Sequence, residues 1–232
     1  MKNWILFGCL IMTVYLAACK KAADPLPILF FDSTFQTGTD DWTGDFAFYK
    51  SGQDSAVKFL VKQDKIPERT DSTALGLRVE GVNTGDSLFW FIKRKITGLN
   101  PALTYKVAYR INLTTSYTDT VGGAGQITYI KAGASTEEPK KILASNFYNV
   151  SIKKGSLGKS GTEMLYLGDA GNNIDSVAYR AIVRDNANLA VEVKPNAAGE
   201  IWLCVGTETT YKGRIQLFFD RIYAAVSEKK TL

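Results

Sequence analysis

Histidine is absent from the 232 residues of this chain. Its absence excludes Ser-His-Asp and Cys-His triads, histidine general acid–base work and the usual zinc sites. Cysteine is scarce, with Cys9, Cys19 and Cys204 as the whole set. Lysine and arginine are scattered rather than gathered into the basic stripe that nucleic-acid binding needs. No segment carries a sustained apolar pattern at helical spacing. The longest uncharged apolar stretch, Trp4 to Ala18, is about fifteen residues, short of the roughly twenty that cross a bilayer as a helix.

That stretch follows the positive charge of Lys2 and has the length of a secretory signal's apolar region. Leu16-Ala17-Ala18-Cys19 resembles the lipobox of bacterial lipoproteins, in which the cysteine thiol is lipidated and the chain is cut just before it. The resemblance implies a leader over 1–18 and a lipid on Cys19. It also implies a tether over 19–27, containing Pro25 and Pro27, and an outer-membrane lipoprotein facing the periplasm or the cell surface. An ordinary signal peptide cut near Ala18 is the alternative. Several acyl chains on one cysteine make a stable anchor where one chain is marginal. Without 1–18 the chain keeps 27 Lys and Arg against 23 Asp and Glu, a formal net charge of +4. Lipidation of Cys19 would leave Cys204 without a disulfide partner, and its neighbours Trp202, Leu203 and Val205 suit an inert thiol buried in a strand.

Residues 28–232 read as one domain of short strands separated by Gly, Asn, Asp and Ser. Tyr105, Val107, Tyr109, Ile111 and Leu113 alternate with Lys106, Ala108, Arg110 and Asn112, the period of a half-buried strand. Leu75, Leu77 and Val79 alternate in the same way. Leu88 to Ile92 is continuously apolar, which suits a central strand covered on both faces. Ile127 to Ala132, Tyr179 to Arg184, Leu189 to Val193, Ile201 to Val205 and Ile215 to Val226 complete the set, and Gly155 to Gly161 reads as a loop. Turn chemistry lies between them at Asn83-Thr84-Gly85-Asp86, Gly98 to Pro101, Gly122-Gly123 and Pro195-Asn196. The pattern predicts an all-β sandwich of two antiparallel sheets.

The phrases Trp42 to Tyr49, Asn83 to Phe89, Gly98 to Tyr105, Tyr129 to Ala134, Glu138-Pro139 and Ile201 to Thr207, in this order, resemble a family of uncharacterised secreted bacterial proteins with no established activity. More widely, the Trp-containing start, the Gly98-Leu99-Asn100-Pro101 turn leading to Tyr105, and Phe219-Asp220-Arg221-Ile222 resemble jelly-roll, galactose-binding-like modules. Many of those modules are carbohydrate-binding. This chain departs from them in its long insertions and in having no attached catalytic domain. The resemblance implies a jelly-roll fold and a glycan or similar extracellular ligand.

A sugar site needs flat apolar faces for the ring and polar groups for its hydroxyls. Trp42, Asp45 and Tyr49, beside Phe48, form a segment with both, although aromatic side chains also dominate sandwich cores. Asn83, Asp86 and Lys131, near strand ends, could line the same site, with turn formation as the competing role for Asn83 and Asp86. Trp90 and Trp202 read as packing. Asp220 sits in an apolar strand where an unpaired carboxylate is costly. In jelly-roll binding modules an aspartate in a similar strand helps hold a structural calcium, which implies a site at Asp220 with Asp32, against an ion pair with Arg221 or Arg214. No cofactor is otherwise required. Acid pairs such as Asp40-Asp41 and Glu137-Glu138 lie in expected loops, and nothing proposes the two opposed carboxylates of a glycoside hydrolase. The expected function is therefore non-catalytic ligand binding, with a structural role in a cell-surface complex as the alternative and a glycoside hydrolase of unusual design, with two convergent acids in one cleft, as the third reading.

Overall fold

The computed structural model describes residues 27–68, 73–186 and 188–230, so the leader, Cys19 and the tether up to residue 26 lie outside the described residues. In chain order the elements are β1 (Ile28–Ser33), β2 (Thr43–Ala47), β3 (Tyr49–Lys50), the single turn α1 (Asp54–Val57), β4 (Leu60–Lys65) and β5 (Leu75–Asn83). Then come β6 (Leu88–Ile96), β7 (Tyr105–Thr115), β8 (Thr128–Ser135), β9 (Lys141–Ala144) and β10 (Phe147–Val150). The last are β11 (Met164–Asp169), β12 (Arg180–Asp185), β13 (Val191–Val193), β14 (Ile201–Thr209) and β15 (Gly213–Glu228).

One sheet runs β12-β7-β15-β5-β4, with β1 added to β15 and β13 to β7; the second runs β11-β8-β14-β6-β2. Every pairing is antiparallel, as in the long β15–β7 ladder. Successive strands β5, β6, β7 and β8 alternate between the sheets. The late strands then return to the middle, β15 between β7 and β5 and β14 between β8 and β6. Strands wound in this order form a jelly roll, the fold expected from the sequence.

The alternating apolar rows face each other across the sandwich. Leu77, Val79, Val107, Ile111, Leu113, Leu217 and Phe219 of the first sheet share one core with Trp90, Ile92, Ile130, Leu203 and Val205 of the second. Burying a side chain of this size contributes about 1.5–3 kcal/mol each, which is what holds two sheets together without a disulfide. Leu88 to Ile92 is buried on both faces, as its unbroken apolar run predicts. The second face has its own small core of Phe89, Phe91, Ile152, Met164 and Cys204.

That small core exists because the chain between β8 and β11 folds over the outward face of the second sheet. β9 and β10 form a hairpin that pairs with β3 in a third, three-stranded sheet, β3-β10-β9. Its tip, Ser145-Asn146, has positive φ at both residues (48° and 62°), the geometry of a type I′ turn. Beyond it the backbone passes so close to β8 that a Cβ on Gly133 would lie 1.8 Å from the Glu163 carbonyl oxygen. Only glycine admits that approach.

Candidate ligand cleft

The turn joining β5 to β6 is fixed by Asn83. Its Oδ1 accepts from the Gly85 N–H at 3.1 Å, while its Nδ2 donates to the carbonyls of Thr209 (3.4 Å) and Tyr211 (3.1 Å). The turn is thereby pinned to the end of β14, and Thr84, Gly85 and Asp86 project into solvent. Opposite it stand β3 and α1, which follow β2 through Phe48. This bulky residue sits in the left-handed region, with φ 68°, a conformation that side chains of its size rarely adopt. Its ring meets Phe89 and Phe147 edge-on, and its N–H donates to the Tyr148 carbonyl at 2.6 Å.

Between these walls lies a cleft of about 220 Å³, smaller than the ~300–1,000 Å³ of drug-sized sites. Phe48 and Phe147 supply its aromatic faces; Lys50, Gln53, Thr84 and Asp86 supply its polar rim. Asp86 is the one carboxylate among the lining residues.

Tyr49 is the hinge between the cleft and the third sheet. Its hydroxyl donates to Asp54 Oδ1 at 2.7 Å and accepts from Lys141 Nζ at 3.0 Å, and its ring stacks on Tyr148 with centroids 4.9 Å apart. Burial first, and the Asp54 carboxylate, push the phenol up to about 12 against the pull of Lys141. The Tyr49 hydroxyl in turn holds the Asp54 carboxyl below its ordinary range, with Lys141 adding to the effect. Lys141 Nζ lies 4.6 Å from the ring centre of Phe46, 5.2 Å from Tyr148 and 5.6 Å from Tyr49, a cation over three rings. Burial opposes its charge, yet Tyr49, Asp54 and Asp45 outweigh that and raise its pKa. This cluster locks β3 to β9 and β10 and so sets the inner wall of the cleft.

The structure therefore brings together three of the six expected ligand residues: Tyr49, Asn83 and Asp86 all line the cleft. Tyr49 and Asn83 do so as buried scaffold and Asp86 as exposed rim. Asp45 stands one layer behind, its Oδ1 3.9 Å from Lys141 Nζ. Trp42 is a correction. It is 2 % exposed, packed in the main core, and its Nε1 donates to Ser33 Oγ at 2.9 Å, so no open groove runs past Trp42, Asp45 and Tyr49. A Trp indole that finds an N–H acceptor inside the core fills space better there than on the surface.

Lys131 is a second correction. It points from β8 to the covered side of the second sheet and is 0 % exposed. Its ammonium donates to the carbonyls of Lys154 (3.0 Å), Ser156 (2.7 Å) and Lys159 (3.1 Å) and lies 2.9 Å from Glu208. Lys154 pairs with the other oxygen of Glu208, and its Nζ lies 4.1 Å from the centre of the Phe48 ring. Burial draws the Lys154 ammonium down in pKa against the pull of Glu208. Lys131 is a clasp that fastens the insertion to the sheet.

The expected calcium pair has a different arrangement. Both oxygens of Asp32 accept from the guanidinium of Arg221 at 2.6 Å, which lowers the Asp32 pKa and occupies the carboxylate. Asp220 lies where the β15–β7 register slips between Phe219 and Arg221, out of the regular ladder. Among the described residues no three His, Cys, Asp or Glu side chains gather into one cluster. Asp32 therefore forms an ion pair with Arg221, and the Asp220 carboxylate also acts on that guanidinium. Trp90 is core as expected, whereas Trp202 is half-buried beneath Lys93 and Lys95, whose ammonium groups lie 5.7 and 6.0 Å from its ring. Burial pushes the Cys204 thiol far up, consistent with an inert core residue.

Sequence reasoning missed Phe147, Lys50 and Gln53. Phe147 lies in the insertion, and its place opposite Lys50 follows only from the β10–β3 register.

No known protein family matches the sequence, and no curated protein matches it. Among solved structures, the chain is similar to the family 11 carbohydrate-binding module from Clostridium thermocellum in complex with a β-1,3-1,4-mixed-linked tetrasaccharide. The TM-score is 0.35 at 12 % identity, over 86 % of this chain and 96 % of that one. It is similar to the K1 cleaved adhesin domain of Lys-gingipain from Porphyromonas gingivalis W83, with TM-score 0.33 at 13 % identity over 86 % and 95 %. It is also similar to the enzymatically active domain of tailspike protein 4 from bacteriophage CBA120, with TM-score 0.36 at 10 % identity over 79 % of this chain; the chain spans only 19 % of that protein. With overlaps this loose, the jelly roll rests on the strand order itself.

Proposed function

We propose that this chain is a non-catalytic outer-membrane lipoprotein, held by a lipid on Cys19, that binds a sugar unit of an extracellular glycan in the cleft between β3 and the β5–β6 turn. The make-up of the cleft carries this reading. Phe147, with the part of Phe48 that the small core and Lys154 leave uncovered, gives the cleft an aromatic lining for the C–H side of a sugar, and Lys50, Gln53, Thr84 and Asp86 line it as hydroxyl partners. Hydrolysis of a glycoside needs two carboxylates about 5–10 Å apart across the bond, and this cleft offers Asp86 alone. Binding of this kind calls for no cofactor.

The cleft also lies at the favourable end of the molecule. Asn83 pairs with Gly213 at the start of β15, and Ile28 pairs with Ser227 near its end. About 45 Å of strand separates them at ~3.3 Å per residue. A chain tethered ahead of Ile28 would present the cleft away from the membrane, towards the periplasm or the medium.

Polysaccharide affinity gels and a glycan array, probed with the chain from Lys20 onward, test the reading. Retention on at least one glycan is expected, and Phe147→Ala or Asp86→Ala should weaken it tenfold or more. Absence of binding across the panel, or binding that ignores both substitutions, would overturn it. The rival role in a surface assembly draws on one observation, the exposed apolar side chains of β1.

A further inference from the structure

Ile28, Leu29 and Phe30 are three consecutive apolar residues with exposures of 50 %, 41 % and 59 %. They begin β1, which among the described strands pairs only with β15 and so leaves one edge of its backbone uncovered. Natural edge strands are guarded by charge, proline or a covering element; here the first charge within the strand is Asp32. Phe30 extends the apolar surface by stacking on Tyr223, with ring centroids 5.5 Å apart.

We infer that this strip is a membrane-contacting surface that rests in the interfacial region of the bilayer holding the lipid of Cys19. The inference rests on the lipoprotein reading and adds the orientation of the domain to it. Two observations select a lipid surface as the occupant. Only the residues from Lys20 to Pro27 separate Cys19 from Ile28, and at most ~3.6 Å each they cannot hold the strip more than about 30 Å from the anchored cysteine. The same end of the sandwich is also basic. Lys106 lies across Ser227 from Ile28 in the register, Lys229 and Lys230 follow β15, and Lys20 and Lys21 precede the strand in the sequence. Glu192, which pairs with Lys229 at 2.7 Å, and Glu228 are the described acids near them, and Asp24 follows Lys21 in the sequence. Apolar side chains with lysines on the neighbouring strand and just beyond β15 suit the boundary between acyl chains and anionic headgroups.

The full-length lipidated protein, reconstituted into vesicles of phosphatidylethanolamine and phosphatidylglycerol, tests this. An environment-sensitive fluorophore is attached through Phe30→Cys, and in a control through Val121→Cys, a position 96 % exposed in the loop that leaves β7 at the cleft end. Cys204 is buried and will not compete for label. The label at position 30 should shift to the blue on vesicles and be quenched by brominated lipid, while that at position 121 should stay in water. A label at position 30 that remains in water in acylated protein overturns the surface and spares the anchor. A blue shift at position 30 that grows with protein concentration and needs no vesicle overturns it in favour of a second copy paired along β1. Acylation is read separately from the mass of the Cys19 peptide. If that mass shows no lipid, the anchor fails, and the surface then stands or falls on whether the unacylated protein's label shifts on the same vesicles.

Discussion

On β15 of the first sheet, Arg221, Tyr223 and Ala225 look outward onto a surface that nothing described covers. On β14 of the second, Cys204, Gly206 and Glu208 look outward into an interior supplied by the insertion between β8 and β11. The first face carries the solvent-touched Arg221–Asp32 pair beside a shallow depression floored by Arg110, Asn112 and Tyr223. The second carries a glutamate shared by two buried lysines. The contrast teaches where a ligand can go. A jelly roll offers two sheet faces and two ends, and this chain has filled one face with its own backbone, so its cleft of mixed aromatic and polar lining lies at an end.

The comparison breaks most severely at Glu208. Glu208→Gln leaves Lys131 and Lys154 buried with no carboxylate between them, and loss of about 3–5 kcal/mol is expected, since an uncompensated buried charge costs that much. A urea melt showing less than about 1 kcal/mol would mean that water reaches the clasp. Next in size is Gly133→Ala. Its new methyl would strike the Glu163 carbonyl oxygen, and overpacking of this kind costs about 1–3 kcal/mol. A neutral result would show the insertion lifting off the sheet. Smaller again is Tyr49→Phe, which removes a hydroxyl bonded to both Asp54 and Lys141 and should cost about 1 kcal/mol while weakening any glycan bound in the cleft.

The open face should answer weakly. Asp32→Asn removes a pair whose partners are 39 % and 48 % exposed, and exposed pairs contribute about 0.2–1 kcal/mol, less in salt. Its pH dependence has a definite sign. The Arg221 hydrogen bonds hold the Asp32 pKa below its ordinary value, so the stabilisation is fully present above pH ~4, the unfolded carboxyl value, and is lost as the pH falls through the lower folded value. The acid limb of a stability–pH curve should therefore flatten slightly in Asp32→Asn.

The same contrast explains which parts were legible in the sequence. The face of the first sheet was readable because water on one side enforces alternation, as from Tyr105 to Leu113. Leu88 to Ile92 was readable as a covered strand, but the sequence could not say what covers it. The cover is β9 and β10, whose turn residues Ser145-Asn146 lack the Asn-Gly or Asp-Gly signature of a type I′ hairpin, so the hairpin left no local mark. That also hid Phe147, and it made Lys131 read as a rim residue when the insertion buries it completely. β1 went unnoticed because Ile28 to Phe31 does not alternate. Asn83 and Asp86 were legible as turn residues, and the turn they form lines the cleft for a reason unrelated to a ligand.

The most direct test is hydrogen exchange on the chain from Lys20, with and without a saturating oligosaccharide taken from the glycan array. The cleft reading predicts new protection confined to residues 48–53, 83–87 and Phe147. Protection concentrated instead on residues 129–135 and 202–208, with the insertion loosened, would mean that the ligand displaces the cover and binds the second sheet, and it would contradict the account.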